Sequence, residues 1–172
     1  MKLTVRRLAP EDDRSGFRSG NADLDRFFLR YAGQYQFRHH IGTTWVAVDG
    51  ARWIAGFATV AASEVSGASL PARSKRLPRY PLPALRLARL AVDERARGQG
   101  VGRLLLRSVV SLAWRLADEV GCVGLIVDAK PEAISFYEAL GFIRLDANAG
   151  ELGDRPEPTP LFLELLPASE GH

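Results

Sequence analysis

A predicted strand, a glycine-rich turn and a long amphipathic helix follow one another in this chain, and their order limits the fold more than any other feature. The apolar segment at residues 84–92 predicts a central strand. RGQGVG follows at residues 97–102, and from Val101 onward the apolar residues recur at helical spacing. The chain therefore combines strands and helices around a turn rich in glycine.

Strands and helices also alternate in the rest of the chain. Before the glycine-rich turn we predict a strand at residues 3–9, a helix capped by Asn21 and a hairpin whose turn lies at residues 49–52. That helix is predicted from residues that recur at helical spacing, which are Leu24, Phe27, Phe28, Tyr31 and Tyr35. After the turn we predict a strand at 122–129, a helix from Pro131 and a strand at 161–166. The sequence has no internal repeat or linker, so residues 1–172 are predicted to form a single α/β (α+β) domain.

Charge and composition favour a cytoplasmic protein without a membrane segment. The net charge is only +3, and Cys122 is the single cysteine of the chain. The N-terminal residues MKLTVRRLAPEDD have no apolar core of the kind found in signal peptides. Arginines interrupt the longest apolar run, and the three histidines and one cysteine show no metal-ligand spacing, so we expect no metal site.

The glycine-rich turn has the composition of an anion site. The backbone amides of such a turn point in the same direction as the free amides of the first turn of the following helix. The helix dipole also favours negative charge at this end of the helix. Arg97 adds a cation, and Gly98, Gly100 and Gly102 allow close approach to the backbone. The spacing R-x-x-G-x-G excludes the dinucleotide fingerprint, and the lack of a lysine after the glycines excludes the phosphate loop of nucleoside triphosphatases. A diphosphate site is predicted, and a loop without a ligand is the alternative.

Two motifs together resemble the GCN5-related N-acetyltransferases (GNAT). LARLAVDERARGQGVGRLLL is similar to the acetyl-CoA signature of that family, with Arg97, Gly100 and Gly102 at the matching positions. FYEALGF at residues 136–142 is similar to its late helix, where a tyrosine faces the thioester. The resemblance covers essentially the whole chain. It implies a central mixed, twisted β-sheet flanked by helices on both faces, with splayed central strands, and acetyl-CoA as cosubstrate.

The resemblance also implies which residues bind acetyl-CoA. Backbone groups at the end of the central strand would pair with the pantetheine amides, and these belong to Leu90, Ala91 and Val92. The amides that would hold the diphosphate belong to Arg97, Gly98, Gln99, Gly100, Val101 and Gly102.

Catalysis in this family is direct attack of an amine on the acetyl carbonyl. Tyr137 matches the tyrosine that faces the thioester, and its neutral phenol can protonate the leaving thiolate; the alternative is that Tyr137 only packs in an aromatic core. Glu64, just after the second hairpin strand, is the carboxylate we nominate as general base. Proton relay by water, without a dedicated base, is the favoured alternative.

A basic stretch without acidic residues lies between Val65 and Val92. It contains six cations, which are Arg73, Lys75, Arg76, Arg79, Arg86 and Arg89. These six charges exceed the net charge of the whole chain, so the remainder is net negative. The functional interpretation is a surface that binds a polyanion. A solvated loop, or a surface that meets the 3′-phosphate of acetyl-CoA, would give the same pattern.

The N-terminal region resembles a particular branch of the family, the GNAT toxins of bacterial toxin–antitoxin pairs. Their F-x-x-G-x-x-x-L-D-x-[FW]-[FL] pattern is matched by Phe17, Gly20, Leu24, Asp25, Phe27 and Phe28. The resemblance implies acetylation of the α-amine of aminoacyl-tRNA, which blocks translation. It also implies a ribbon-helix-helix antitoxin as partner and a homodimer.

Two other functions remain open from the sequence. One is a GNAT enzyme that acetylates a small-molecule amine or a protein amine. The other is a non-catalytic module that binds acyl-CoA or nucleic acid, which is disfavoured because Tyr137 and the glycine-rich turn are both present.

Overall fold

The computed structural model describes residues 2–70, 77–145 and 158–166. The strands in this part of the chain are β1 (Thr4–Arg7), β2 (Thr43–Val48), β3 (Ile54–Ser66), β4 (Pro81–Val92), β5 (Gly124–Ala129), β6 (Ile143–Arg144) and β7 (Thr159–Glu164). The α-helices are α1 (Ala22–Arg26), α2 (Val101–Glu119) and α3 (Ile134–Ala139). Two π-helical segments continue α1, at Phe27–Tyr31 and Gln34–Arg38.

The seven strands form one sheet in the order β1-β2-β3-β4-β5-β7-β6. Four of its strand pairs are antiparallel, namely β1–β2, β2–β3, β5–β7 and β6–β7. The predicted hairpin is present in β2 and β3, and Asp49 closes its turn by accepting hydrogen bonds from the amides of Ala51 and Trp53, both at 3.0 Å.

The chain divides into two compact units. The first contains Met1–Ala62 and Leu87–Leu112, and the second contains Ser63–Arg86 and Ala113–His172. Each unit combines two separate segments of the chain. The sequence prediction of a single domain over residues 1–172 stays a prediction.

An aromatic cluster forms the core of the first unit. Phe28 stacks on Phe57 with ring centroids 4.3 Å apart, and Phe17 meets both rings edge-on. Val46, Val48 and Ala91 bring strands β2 and β4 into the same cluster. The phenylalanines that the sequence pattern picked out therefore attach the segment around α1 to the sheet of this unit.

The helix after Asn21 differs from the predicted one. Asn21 caps it as expected, since its side chain accepts from the amide of Leu24 at 3.1 Å. Tyr31, which recurs at helical spacing with the other aromatic residues, is 43% exposed. The π-helical turn at Phe27–Tyr31 adds a residue to the turn and so rotates the residues that follow away from the α-helical spacing.

Apolar residues from the strands and from neighbouring loops form the core of the second unit. Val65, Leu82, Ala84, Ile126 and Phe162 are buried together. Partly buried side chains pack against this cluster, and they include Leu70, Leu77, Val123, Ile143 and Leu145. Strand β6, which this unit contains, was absent from the sequence prediction because two residues, Ile143 and Arg144, give no periodic signal.

Most predicted element boundaries lie within a few residues of those observed. Strand β4 begins at Pro81, three residues earlier than predicted, and β7 begins at Thr159, two residues earlier.

Within the described ranges no helix is long and apolar enough to cross a membrane. The same part of the chain contains no group of three or more His, Cys, Asp or Glu side chains able to hold a metal ion.

Candidate active site

The glycine-rich turn lies between the end of β4 and the start of α2. A 3₁₀ turn at Glu94–Ala96 leads into it, and Gly98 and Gly100 have φ angles of +76° and +78°. Residues with side chains rarely adopt these angles. A Cβ atom added at Gly98 or Gly100 would meet no heavy atom within 4 Å. The turn therefore offers open space beside its backbone, as a diphosphate requires.

Helix α2 directs its first amides at this turn. Val101, Leu105, Leu106, Val109 and Ala113 are buried and fix one face of the helix. The amide of Leu104 donates to the carbonyl of Gly100 at 3.0 Å, so the helical hydrogen bonds begin at the turn itself. Because amides of the first helical turn have no intrahelical acceptor, they remain available to an anion, which the helix dipole also attracts.

Leu90, Ala91 and Val92 are the last three residues of β4, immediately before the turn. Ala91 is buried in the core of the first unit, while Leu90 and Val92 are partly exposed. These residues and the diphosphate-binding candidates belong to the same unit. Their pairing with pantetheine remains a prediction.

Asp93 anchors the start of the turn. Its carboxylate is fully buried and accepts hydrogen bonds from the amides of Arg18 (3.1 Å) and Arg95 (2.9 Å) and from the Arg95 guanidinium. Burial by itself raises the pKa of Asp93, but the hydrogen bonds from Arg95 and Arg18 outweigh it and hold the pKa below its usual value. Asp93 is therefore a charged structural anchor, and its oxygens are already occupied.

Arg97 does not stand free beside the turn. Its Nη2 atom donates to the carbonyl oxygen of Ser19 at 2.6 Å and lies 3.9 Å from Oε1 of Glu94. We predict from the sequence that its charge serves the anion, and this role stays a prediction. In the structure one end of the guanidinium is attached to the segment that precedes α1.

Tyr137 belongs to α3, in the second unit. Its side chain is 5% exposed, and Phe136 and Phe142 meet its ring edge-on at centroid distances of 5.1 and 5.3 Å. Burial raises the pKa of Tyr137 to about 12. The phenol is therefore protonated at neutral pH and able to donate, as an acid must be, and it also packs in an aromatic core.

Glu64 lies within β3 and is exposed. Its predicted position just after the strand is wrong, because β3 continues to Ser66 with alternating burial. Its role as general base remains a prediction, and water relay remains the alternative.

The predicted cations occupy different environments. Arg79 is exposed. Arg86 forms an ion pair with Asp128, and its Nε donates to Oγ of Ser63 at 3.3 Å. The guanidinium of Arg89 lies 3.6 Å from the ring centroid of Phe27. The other three predicted cations, Arg73, Lys75 and Arg76, lie outside the described residues.

Sequence reasoning missed the residues that hold these groups in place. The position of Asp93, a carboxylate directly after an apolar strand, is the one sequence signal that could have indicated such an anchor. Ser63 and Asp128 lie 23 and 42 residues from Arg86, and a single sequence carries no signal for such contacts. Ser19 reaches Arg97 across 78 residues in the same way.

Comparison with known proteins places this architecture in a family. Residues 40–144 match the acetyltransferase (GNAT) domain. A tRNA-acetylating toxin from Mycobacterium tuberculosis is 32% identical over 141 residues, which cover 80% of this chain and 82% of the toxin. The solved structure of AtaT complexed with acetyl-methionyl-tRNAfMet has a TM-score of 0.81 and 29% identity, and the match covers 95% of both chains. AtaTR bound with acetyl-CoA matches with a TM-score of 0.75 and 30% identity, over 94% of this chain and 93% of that chain.

These matches confirm the predicted fold class and the predicted acetyltransferase activity. They also confirm the resemblance to toxin-type acetyltransferases, and they confirm acetyl-CoA as the cosubstrate at the level of the family. This chain belongs to the GNAT family of acetyltransferases.

Proposed function

We propose that this protein transfers the acetyl group of acetyl-CoA to the α-amine of an aminoacyl-tRNA. The observation that carries the proposal is the open turn at Gly98 and Gly100 before α2, in a chain similar over most of its length to a tRNA-acetylating toxin. The turn supplies an anion site of the kind that a diphosphate needs. The toxin-type relative and the AtaT complex point to the charged tRNA as acceptor.

Each group has a defined task in the proposed reaction. Acetyl-CoA supplies an activated acetyl thioester. The amides of residues 97–102 hold its diphosphate, and the backbone of Leu90, Ala91 and Val92 holds the pantetheine arm. Tyr137 donates a proton to the leaving thiolate, for which its neutral, buried phenol is suited. Water takes the proton that the amine loses, unless Glu64 does.

The acceptor amine suits this mechanism. The α-amine of an aminoacyl ester has a lower pKa than the lysine amine, so part of it is neutral at pH 7 and able to attack. The enzyme therefore needs chiefly to position the amine and to stabilise the developing charge, and a strong base is unnecessary.

Exposed groups at the start of β4 support an RNA acceptor. Tyr80 is 65% exposed, and the exposed Arg79 stands beside it. The carbonyl of Tyr80 accepts a hydrogen bond from the amide of Gly67, and the carbonyl of Arg79 accepts one from the amide of Ala68, both at 3.2 Å, so the backbone of both residues is fixed. An aromatic ring next to an arginine suits stacking on unpaired bases, such as those at the 3′ end of tRNA, together with phosphate binding.

The remaining partner assignments follow from the toxin-type resemblance. We infer a ribbon-helix-helix antitoxin that neutralises the enzyme, a homodimer and a cytoplasmic location, where charged tRNA is found. A gene for a small ribbon-helix-helix protein beside this one would support the antitoxin assignment. The mass of the purified protein in solution tests the dimer.

The direct test combines the pure enzyme, acetyl-CoA and a charged tRNA pool, with mass spectrometry to detect N-acetyl-aminoacyl-tRNA. We expect this product, and we expect none from tRNA that has been stripped of its amino acids. If small amines or peptides are acetylated readily while charged tRNA is not, the acceptor assignment is wrong. If nothing is acetylated and acetyl-CoA does not bind, the enzyme assignment for this chain fails as well.

A further inference from the structure

The segment at residues 16–20, which we call the strap, is fastened to the chain just before and within the glycine-rich turn. Four hydrogen bonds join the two segments. They run from Arg18 N to Asp93 Oδ2 (3.1 Å), from Glu94 N to Arg18 O (2.8 Å), from Arg95 Nη2 to Gly16 O (3.2 Å) and from Arg97 Nη2 to Ser19 O (2.6 Å). The strap and the turn thus belong to one hydrogen-bonded assembly within the first unit.

The strap is itself held on its other side. Asp25 in α1 accepts from the backbone amide of Ser19 at 3.0 Å and from its hydroxyl at 2.6 Å. Phe17 is buried against the rings of Phe28 and Phe57. A side chain bonded to the strap is therefore bonded to a fixed point of the core.

Gly20 makes room for the last of these connections. Its φ angle is +91°, and a Cβ atom added there would lie 2.7 Å from Nη2 of Arg97 and 2.9 Å from Oε1 of Glu94. Both distances are shorter than real Cβ contacts, so a side chain at this position would displace the guanidinium from Ser19. The glycine of the toxin-like pattern thus has a physical function at the turn.

We propose that Arg97 is a positioning residue, which ties the diphosphate-binding turn to the strap instead of binding the diphosphate, and that Gly20 provides the space for this tie. The inference rests on the proposed function, since it takes acetyl-CoA to bind at residues 97–102. A turn with Gly98, Gly100 and Gly102 has little intrinsic order. Holding its first residue in place orders the amides before the ligand arrives, which strengthens binding.

A double-mutant cycle on acetyl-CoA binding tests the tie. Calorimetry would measure the Kd of wild type, Arg97→Ala, Gly20→Ala and the double variant. A hydrogen bond from a charged group justifies an expected loss of about tenfold for each single variant. The double variant should lose no more than the worse single one, because both changes break the same contact. In steady-state assays KM for acetyl-CoA should rise, while kcat and KM for charged tRNA stay within about twofold.

Three further experiments distinguish a positioning role of Arg97 from backbone strain at Gly20 and from direct binding of the diphosphate by Arg97. Gly121→Ala is the strain control, because Gly121 has φ of +110° and the nearest atom to an added Cβ is 3.7 Å away; acetyl-CoA affinity should be unchanged. The salt dependence of acetyl-CoA binding should be the same in wild type and Arg97→Ala, since no phosphate contact is lost. Without ligand, the amide of Leu104, which donates to the carbonyl of Gly100 in the turn, should exchange hydrogen faster in Arg97→Ala than in wild type.

Additive losses in the cycle, a weaker salt dependence in Arg97→Ala, or unchanged amide exchange would each overturn the tie. The exchange measurement does not need Gly20→Ala, so it decides the matter even if that variant fails to fold. Absence of acetyl-CoA binding in wild type would instead refute the proposed function, and the exchange result would still report on the strap.

Discussion

Arg86 on β4 forms an ion pair with Asp128 on β5, in which Nη1 of Arg86 donates to Oδ2 of Asp128. The Nε atom of the same guanidinium donates to Ser63 on β3. Arg86 is therefore tied to both neighbouring strands, and an acid inside the chain already compensates its charge. Arg79, seven residues earlier, is exposed.

This difference predicts unequal contributions to tRNA binding. The slope of log K against log salt concentration is negative. Arg79→Ala should reduce its magnitude by about one, as for the loss of one phosphate contact. Arg86→Ala should reduce the magnitude by less, because Asp128 offsets the charge of Arg86. Asp128→Asn is the matched control and should steepen the slope by releasing Arg86. Fluorescence anisotropy with labelled tRNA at several salt concentrations measures all three, and equal slopes for the two arginine variants would refute the argument.

The fold could be predicted from the sequence where its signals are local. Asn21 as a cap, the turn at Asp49 and the periodicity of α2 are encoded in neighbouring residues, and each is present in the structure. The π-helical turns could not be predicted, because the local sequence pattern indicates an α-helix and carries no signal for a wider turn; in the structure Phe27 and Phe28 of the first π turn are buried in the core. Local patterns describe α-helices, and tertiary contacts override them here.

The candidate site, like the fold, could be predicted only where its signals lie in neighbouring residues. The glycine spacing and the late-helix tyrosine identified the candidate residues. Their supports were not identifiable, since the bonds from Arg97 to Ser19 and from Arg86 to Asp128 join residues far apart in the chain. A sequence motif reports which groups are present, and only the fold determines which of them are already occupied.

Tyr137→Phe should lower kcat and leave acetyl-CoA affinity unchanged. The variant keeps the aromatic packing against Phe136 and Phe142 but removes the proton donor. General acid catalysis justifies an expected loss of about 100- to 10,000-fold. Discontinuous steady-state assays with charged tRNA give kcat, and calorimetry gives the affinity for acetyl-CoA. Turnover within about twofold of wild type would mean that the phenol only packs.

The raised pKa of Tyr137 predicts a loss of stability in alkaline solution. The phenol has its ordinary pKa near 10 when unfolded and about 12 when folded, so the folded state holds the proton more tightly. Its stabilising contribution is therefore complete below pH 10 and is lost as the pH rises to 12, by up to about 3 kcal/mol. Urea unfolding of wild type and Tyr137→Phe at pH 8, 10 and 11 isolates this contribution. Parallel pH curves for the two proteins would contradict it.

Glu64→Gln should change turnover by less than about threefold, because the side chain is exposed and the acceptor amine needs no strong base. The dependence of kcat/KM on pH should keep its shape. A large loss of turnover, together with disappearance of an acidic limb from that profile, would instead establish Glu64 as the base.

Gly100→Glu should abolish acetyl-CoA binding. A Cβ atom at this position enters open space beside the turn, so the added side chain would place a carboxylate where we assign the diphosphate. Because φ of Gly100 is +78°, any side chain also strains the backbone, and Gly100→Ala is needed as the control for strain without charge. We expect Gly100→Ala to bind acetyl-CoA more weakly than wild type and Gly100→Glu to show no binding in calorimetry, while both keep the wild-type circular dichroism spectrum. If Gly100→Glu binds as well as Gly100→Ala, the diphosphate does not lie on this turn, and the assignment of residues 97–102 is wrong.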